Sequence, residues 1–201
     1  MSRRLAILLA AALLAPLLMA GCEIYQRPRE YHLTFLPASL KAPVAEADTA
    51  IARLQRRLGA RLKAELDAGG PVAAISTCRD SAQAMTAEVA AQNGIQVGRT
   101  SHRLRSLANA PRPWVKRYVD AITPGENAAA FPPVVVDLGD RIGFLRAIPT
   151  QQLCLTCHGE PASFTPELAA ALHDAYPQDQ ATGFAVDDLR GLFWAEVPKK
   201  Q

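Results

Sequence analysis

The run Cys154-Leu155-Thr156-Cys157-His158 sets two thiols three positions apart and an imidazole directly behind the second. That is the spacing of c-type haem attachment, in which the thiols add across the porphyrin vinyl groups and the histidine is offered to the iron. Two other chemistries use paired cysteines. Zinc needs four ligands, and the chain holds no second Cys-x-x-Cys and no His-x-x-x-His. A thioredoxin-like dithiol opens a helix at a βα junction, whereas here Pro149 precedes the motif and Gly159 and Pro161 follow it. Haem c, one copy and covalent on Cys154 and Cys157 with His158 as axial ligand, is the expectation.

Working outward, the 201 residues are 49% hydrophobic, enough for one packed domain with appendages. The formal charge is +3, of which Arg3 and Arg4 supply two in the first 21 residues, so nothing points to nucleic acid. Residues 1–21 open on those arginines and run apolar from Leu5 to Ala20, broken by Pro16, as a secretory signal does. They end in Met19-Ala20-Gly21-Cys22, which resembles a bacterial lipobox with Met where Leu is usual. The expectation is cleavage before Cys22, diacylglycerol on that thiol, and a domain held on the periplasmic side of a bacterial membrane. The competing reading is an ordinary signal followed by a chance cysteine. Export and haem attachment agree, since bacteria attach haem c on that side of the membrane.

Residues 22–43 carry Pro28, Pro37 and Pro43 with little periodicity and read as a lipidated tether, with the domain proper at 44–201. From Val44, the residues Ile51, Leu54, Leu58, Leu62 and Leu66 mark an amphipathic helix ended by Gly69-Gly70. Pro71 starts a second helix bearing Ile75, Cys78, Ala82, Met85 and Val89, so the two should form a hairpin. Strands follow at Ile95-Gln96-Val97, Val134-Val135-Val136, Arg141 to Ile148 and Leu192 to Val197. A short helix carries Trp114, Tyr118 and Val119, and another starts at Thr165-Pro166. The order lacks βαβ alternation, so the fold class is α+β: a small antiparallel sheet with helices packed on one side.

Four cysteines are present. With Cys22 assigned to lipid and two to thioethers, Cys78 is left on an apolar helix stripe with no disulfide partner. Such a residue is commonly a small apolar core residue, but beside a haem it is a candidate sixth ligand. Arg99, Arg103, Arg105 and Arg112 form a local basic cluster, read either as a solvated face or as partners for the haem propionates.

Several ordered segments together resemble one family, the c-type haem domains with a PAS-like fold found alone and in the extracytoplasmic parts of bacterial sensor proteins. They are Ala74-Ile75-Ser76-Thr77-Cys78, Val97-Gly98-Arg99-Thr100-Ser101 with Arg105 and Asn109-Ala110-Pro111, and Cys154 to Gly159. Tyr176-Pro177 with Asp179, Ala181 and Gly183-Phe184, and then Asp188-Leu189-Arg190-Gly191, complete the set. Ser106-Leu107 departs from the family's Asn-Pro pair. The resemblance implies a PAS-like sheet with His158 and Cys78 as axial ligands. Met85, His102 and His173 are the rival sixth ligands.

A thiolate and imidazole pair holds ferric iron at low potential, and a ligand change on reduction would open a site for NO or CO. The expected function is a membrane-anchored redox or small-gas sensor working with a signalling partner. The alternative is a small electron-transfer cytochrome with redox partners, favoured by the absence of an output module before Gln201. No nucleophile and base pair can be named, so no enzyme is expected.

Overall fold

The computed structural model describes residues 28–91 and 94–199, except the side chains of residues 76–78. The leader and the lipidation site expected at Cys22 lie outside the described residues, as does the Cys78 side chain. Five strands form one antiparallel sheet: β1 Glu30–Tyr31, β2 Gln96–Thr100, β3 Val134–Asp137, β4 Arg141–Pro149 and β5 Leu189–Pro198. Their order is β1-β3-β4-β5-β2, so β5, the latest strand in sequence, lies between β4 and β2. Asp137 pairs with Ile142 across the Leu138-Gly139-Asp140 turn, the hairpin the sequence led us to expect.

Side chains alternate across this sheet, as the period of two requires. Phe193, Ala195 and Val197 of β5 face one core, with Val97, Val135, Ile142 and Phe144. Leu189 and Leu192 face the other, with Leu145 and the partly buried Trp194. Where β5 enters the sheet, a Cβ on Gly191 would stand 2.2 Å from the Thr100 carbonyl oxygen. Only glycine lets the two backbones approach so closely.

The first core is closed by α1, Ala38–Ala90, which breaks helical geometry at Gly70 (φ 72°, ψ −172°). That conformation is essentially restricted to glycine, and here it reverses the chain between two arms. Arg57 of the first arm pairs with Glu88 of the second, and Val89 joins Ile51 and Leu54 in the core. The hairpin is therefore as expected, but its start is not. The helix begins at Ala38, and Leu40 and Val44 are buried in the same stripe as Ala47, Ile51 and Leu54. Pro37 occupies the N-cap, and Pro43, near the start, removes one N–H without stopping the helix. Residues 30–43 consequently belong to the folded domain, with Tyr31 paired in β1, instead of forming the tether we expected.

The opposite core is covered by α2, Pro113–Asp120, whose Val115 and Val119 pack under Leu145 and Leu192. Helices therefore cover both faces, against the one-sided packing expected. The second helix is short, and its few apolar positions gave too little periodicity to show which face it covers. Beside it, Glu196 takes hydrogen bonds from Arg112 Nε (2.9 Å) and Trp114 Nε1 (2.8 Å). Two further helices follow, α3 Leu155–His158 and α4 Pro166–Ala175. Thr165 Oγ1 accepts from Leu168 N at 3.3 Å, the expected cap. Leu168 and Leu172 of α4 pack on Ile75 of the second α1 arm, forming a third, smaller core. Among the described residues no helix is long and apolar enough to cross a membrane.

Candidate functional site

The Cys-x-x-Cys-His motif lies in a tight turn, with Cys154 closing a 3-10 segment and Cys157 and His158 in the single turn of α3. Neither thiol is in a disulfide, and both are half-buried. The Cys157 side chain rests against the Ile75, Leu168 and Leu172 core. Past the motif the chain pairs with the loop before β5: Gly183 N donates to Gly159 O at 2.7 Å and Phe184 N to His158 O at 3.0 Å.

This pairing brings the Ala181 carbonyl to the imidazole, 2.6 Å from His158 Nδ1. A carbonyl only accepts, so the proton sits on Nδ1 and Nε2 keeps its lone pair. Burial, with the charges of Arg190 and Arg105, holds His158 well below the ordinary histidine range. It is neutral near pH 7, the form a metal requires.

Around it stand arginines from three segments. Arg99 lies on β2 opposite Phe193, on the same face as the α1 hairpin. Arg103 Nη1 donates to Thr182 O at 2.6 Å, and its guanidinium carbon lies 3.8 Å above the Phe184 ring. Arg105 Nε donates to Asp179 Oδ2 at 3.0 Å, while its Nη2 donates to the carbonyls of Cys157 and Ala181. Arg112 leaves the cluster expected from sequence, because its partner Glu196 lies on the other sheet face.

Sequence reasoning assigned no role to Arg190, the fourth cation of the site. It sits beside Gly191 where β5 shifts register, and its Nη1 donates to Ser101 Oγ (2.9 Å) and Arg103 O (3.2 Å). Burial, reinforced by Arg105 and Arg99, pushes its pKa down to about 9, with Asp179 opposing more weakly. Its Nε and that of Arg103 are buried without partners among the described residues. An arginine inside the apolar run Leu189 to Trp194 was the available signal. Asp179, Ala181 and Phe184 were likewise missed as site residues, since their contacts cross dozens of residues of chain.

The rival ligands fall apart spatially. His173 is exposed in the last turn of α4, where the helix dipole favours it, and Met85 is half-buried on α1. His102 stacks edge-on against Phe184 at 5.8 Å between centroids, as His158 does at 6.4 Å. Neither His102 ring nitrogen has a partner among the described residues. Cys78 stands in α1 three residues after Ile75.

Two attachable thiols, a neutral pre-oriented imidazole and a buried cation excess with orphaned N–H groups fit a macrocycle bearing carboxylates. Fold and site define an α+β domain built around a Cys-x-x-Cys-His turn under an arginine cluster. The chain belongs to the Tll0287-like family, whose model matches residues 26–198. The solved structure of the cyanobacterial heme-protein Tll0287 shares the fold at TM-score 0.59, with 24% identity over 80% of this chain and 98% of that one. No curated protein matches.

Proposed function

We propose that this chain is an exported, lipid-anchored, PAS-like haem c protein acting as a redox or small-gas sensor. The carrying observation is the 2.6 Å tie between His158 Nδ1 and Ala181 O, which leaves Nε2 to coordinate iron within a Cys-x-x-Cys-His turn. Cys154 and Cys157 would hold the porphyrin by thioethers. Arg190, Arg99 and Arg103 would meet its propionates, and Cys78 would be the sixth ligand. A haem so held supplies a one-electron couple and, where a ligand leaves, an open position for NO or CO. The heme-protein named among the solved structures supports the haem, and the apolar run Leu5 to Ala20 behind Arg3 and Arg4, which reads as a secretory signal, supports export. The lipid on Cys22 would anchor the domain on the periplasmic side, and a signalling protein would read its state. We assign it no enzymatic reaction.

The haem is tested by producing the full chain in cells with haem-attachment machinery and staining a denaturing gel for haem. The expected result is one covalent haem, with the amount sharply reduced in Cys154→Ala and Cys157→Ala. An unstained wild-type band would defeat the proposal. The sixth ligand is tested by ferric electron paramagnetic resonance, where a thiolate-type signal should vanish in Cys78→Ala. Sensor and carrier part on the reduced protein: NO or CO binding supports the sensor. A ferrous form locked six-coordinate, with rapid reversible electron exchange, would make it an electron carrier.

A further inference from the structure

Arg105 was expected among the propionate partners, yet its guanidinium is turned inward. Only 13% of its side chain and 12% of that of Asp179 are exposed, and the two are paired. Its Nη2 reaches two main-chain oxygens, that of Cys157, the residue before His158, and that of Ala181 at 3.2 Å. The second is the oxygen that accepts from His158 Nδ1. Asp179 completes the frame, since its Oδ1 accepts from Ala181 N at 2.8 Å while its Oδ2 takes the guanidinium. Next to Arg105, the Leu104 carbonyl accepts from Gln180 N at 2.9 Å. One side chain thus ties the backbone that carries the imidazole to the carbonyl that steers it.

We propose that Arg105, held by Asp179, is a positioning residue that sets the orientation and donor strength of His158 toward the iron; this rests on the haem reading above. Orientation follows from the frame, because the ring turns with the Ala181 carbonyl. Donor strength follows from sharing: a carbonyl oxygen has two lone pairs, and a cation on one makes it a weaker acceptor for the imidazole N–H on the other. His158 is thereby kept from imidazolate character. Lysine cannot replace the fork, since an ammonium is a point charge that does not present parallel donors to two oxygens and a carboxylate.

The test uses the haem-loaded full chain, with reduction midpoint, ferric electron paramagnetic resonance and thermal unfolding measured on wild type, Arg105→Lys, Arg105→Gln and Arg112→Lys. Arg112→Lys disturbs another ion pair, from a half-exposed arginine to the buried Glu196 on the opposite sheet face, and controls for general loosening. Both Arg105 variants should show a lower midpoint and shifted ferric g values, Arg105→Gln more so because it also loses a positive charge. Arg112→Lys should lower only the unfolding temperature. If Arg105→Lys matches wild type in midpoint and spectrum, the positioning role is wrong, and a shift confined to Arg105→Gln would leave charge alone as the cause. An equal shift in Arg112→Lys would also overturn it. Should the Arg105 variants fail to mature, Asp179→Asn decides on the same readouts. It keeps the shape of the pair and an acceptor for Ala181 N, so altered g values support the frame and wild-type values refute it. A wild-type chain without haem withdraws the haem reading and this inference with it.

Discussion

His102 and His158 flank one phenylalanine, but different forces act on them. His158 has a carbonyl to hold its proton. His102 has none, and burial, then the charges of Arg103 and Arg190, depress its pKa, with Glu126 and Asp188 opposing more weakly. Its effect on stability follows by linkage. The unfolded chain protonates this side chain near pH 6.5, while the folded one still refuses the proton, so the unfolded state binds more protons below that pH. Stability contributed by His102 is therefore present above the unfolded pKa and is lost as pH falls toward the folded value. Urea midpoints measured at about pH 7.5 and about pH 5.5 should fall more in the wild type than in His102→Gln. Equal losses would remove His102 as their source.

At the scale of elements, the long helix hairpin was legible because Ile51, Leu54, Leu58 and Leu62 recur at helical steps and Gly69-Gly70-Pro71 marks a reversal. Its first turns were not, because Pro37 and Pro43 read as breaks although one is a cap and the other costs a single N–H near the start. The Cys-x-x-Cys-His motif was legible from spacing alone, and it does form one tight turn. Arg190 and the Arg105–Asp179 frame were not, since linear spacing says nothing about which side chains a strand shift or a loop of distant sequence will bring together. The two arms of the hairpin also differ in what they hold. Leu54, fully buried against the sheet, belongs to the main core, whereas Ile75 of the second arm belongs to the small core under α4. Leu54→Ala should cost about 2–5 kcal/mol of global stability. Leu172→Ala should instead raise hydrogen exchange locally in the second arm and α4, because those elements open as a unit of few contacts. Mass-resolved exchange on both variants separates the two behaviours.

Across the whole molecule, the site is assembled from segments far apart in sequence: β2 and its extension, the Cys-x-x-Cys-His turn, and the loop leading into β5. All of them converge on the strand that arrives latest. β2 is hydrogen-bonded in the sheet through β5, and Ser101 meets Arg190 across 89 residues of chain. Such non-local contacts form late, because the entropy of closing long loops is met before they stabilise anything. A chain emerging from its N-terminus can wind the α1 hairpin and zip β3 to β4, yet β2 has no neighbour until β5 follows. A chain cut before Leu189 should accordingly show helical circular dichroism but no cooperative thermal transition; a cooperative transition would refute this dependence on β5. The order of β-strands thus acts as a clock: the Cys154 and Cys157 thiols are already made while β2 still lacks its neighbour, and the last strand shuts the sheet behind them.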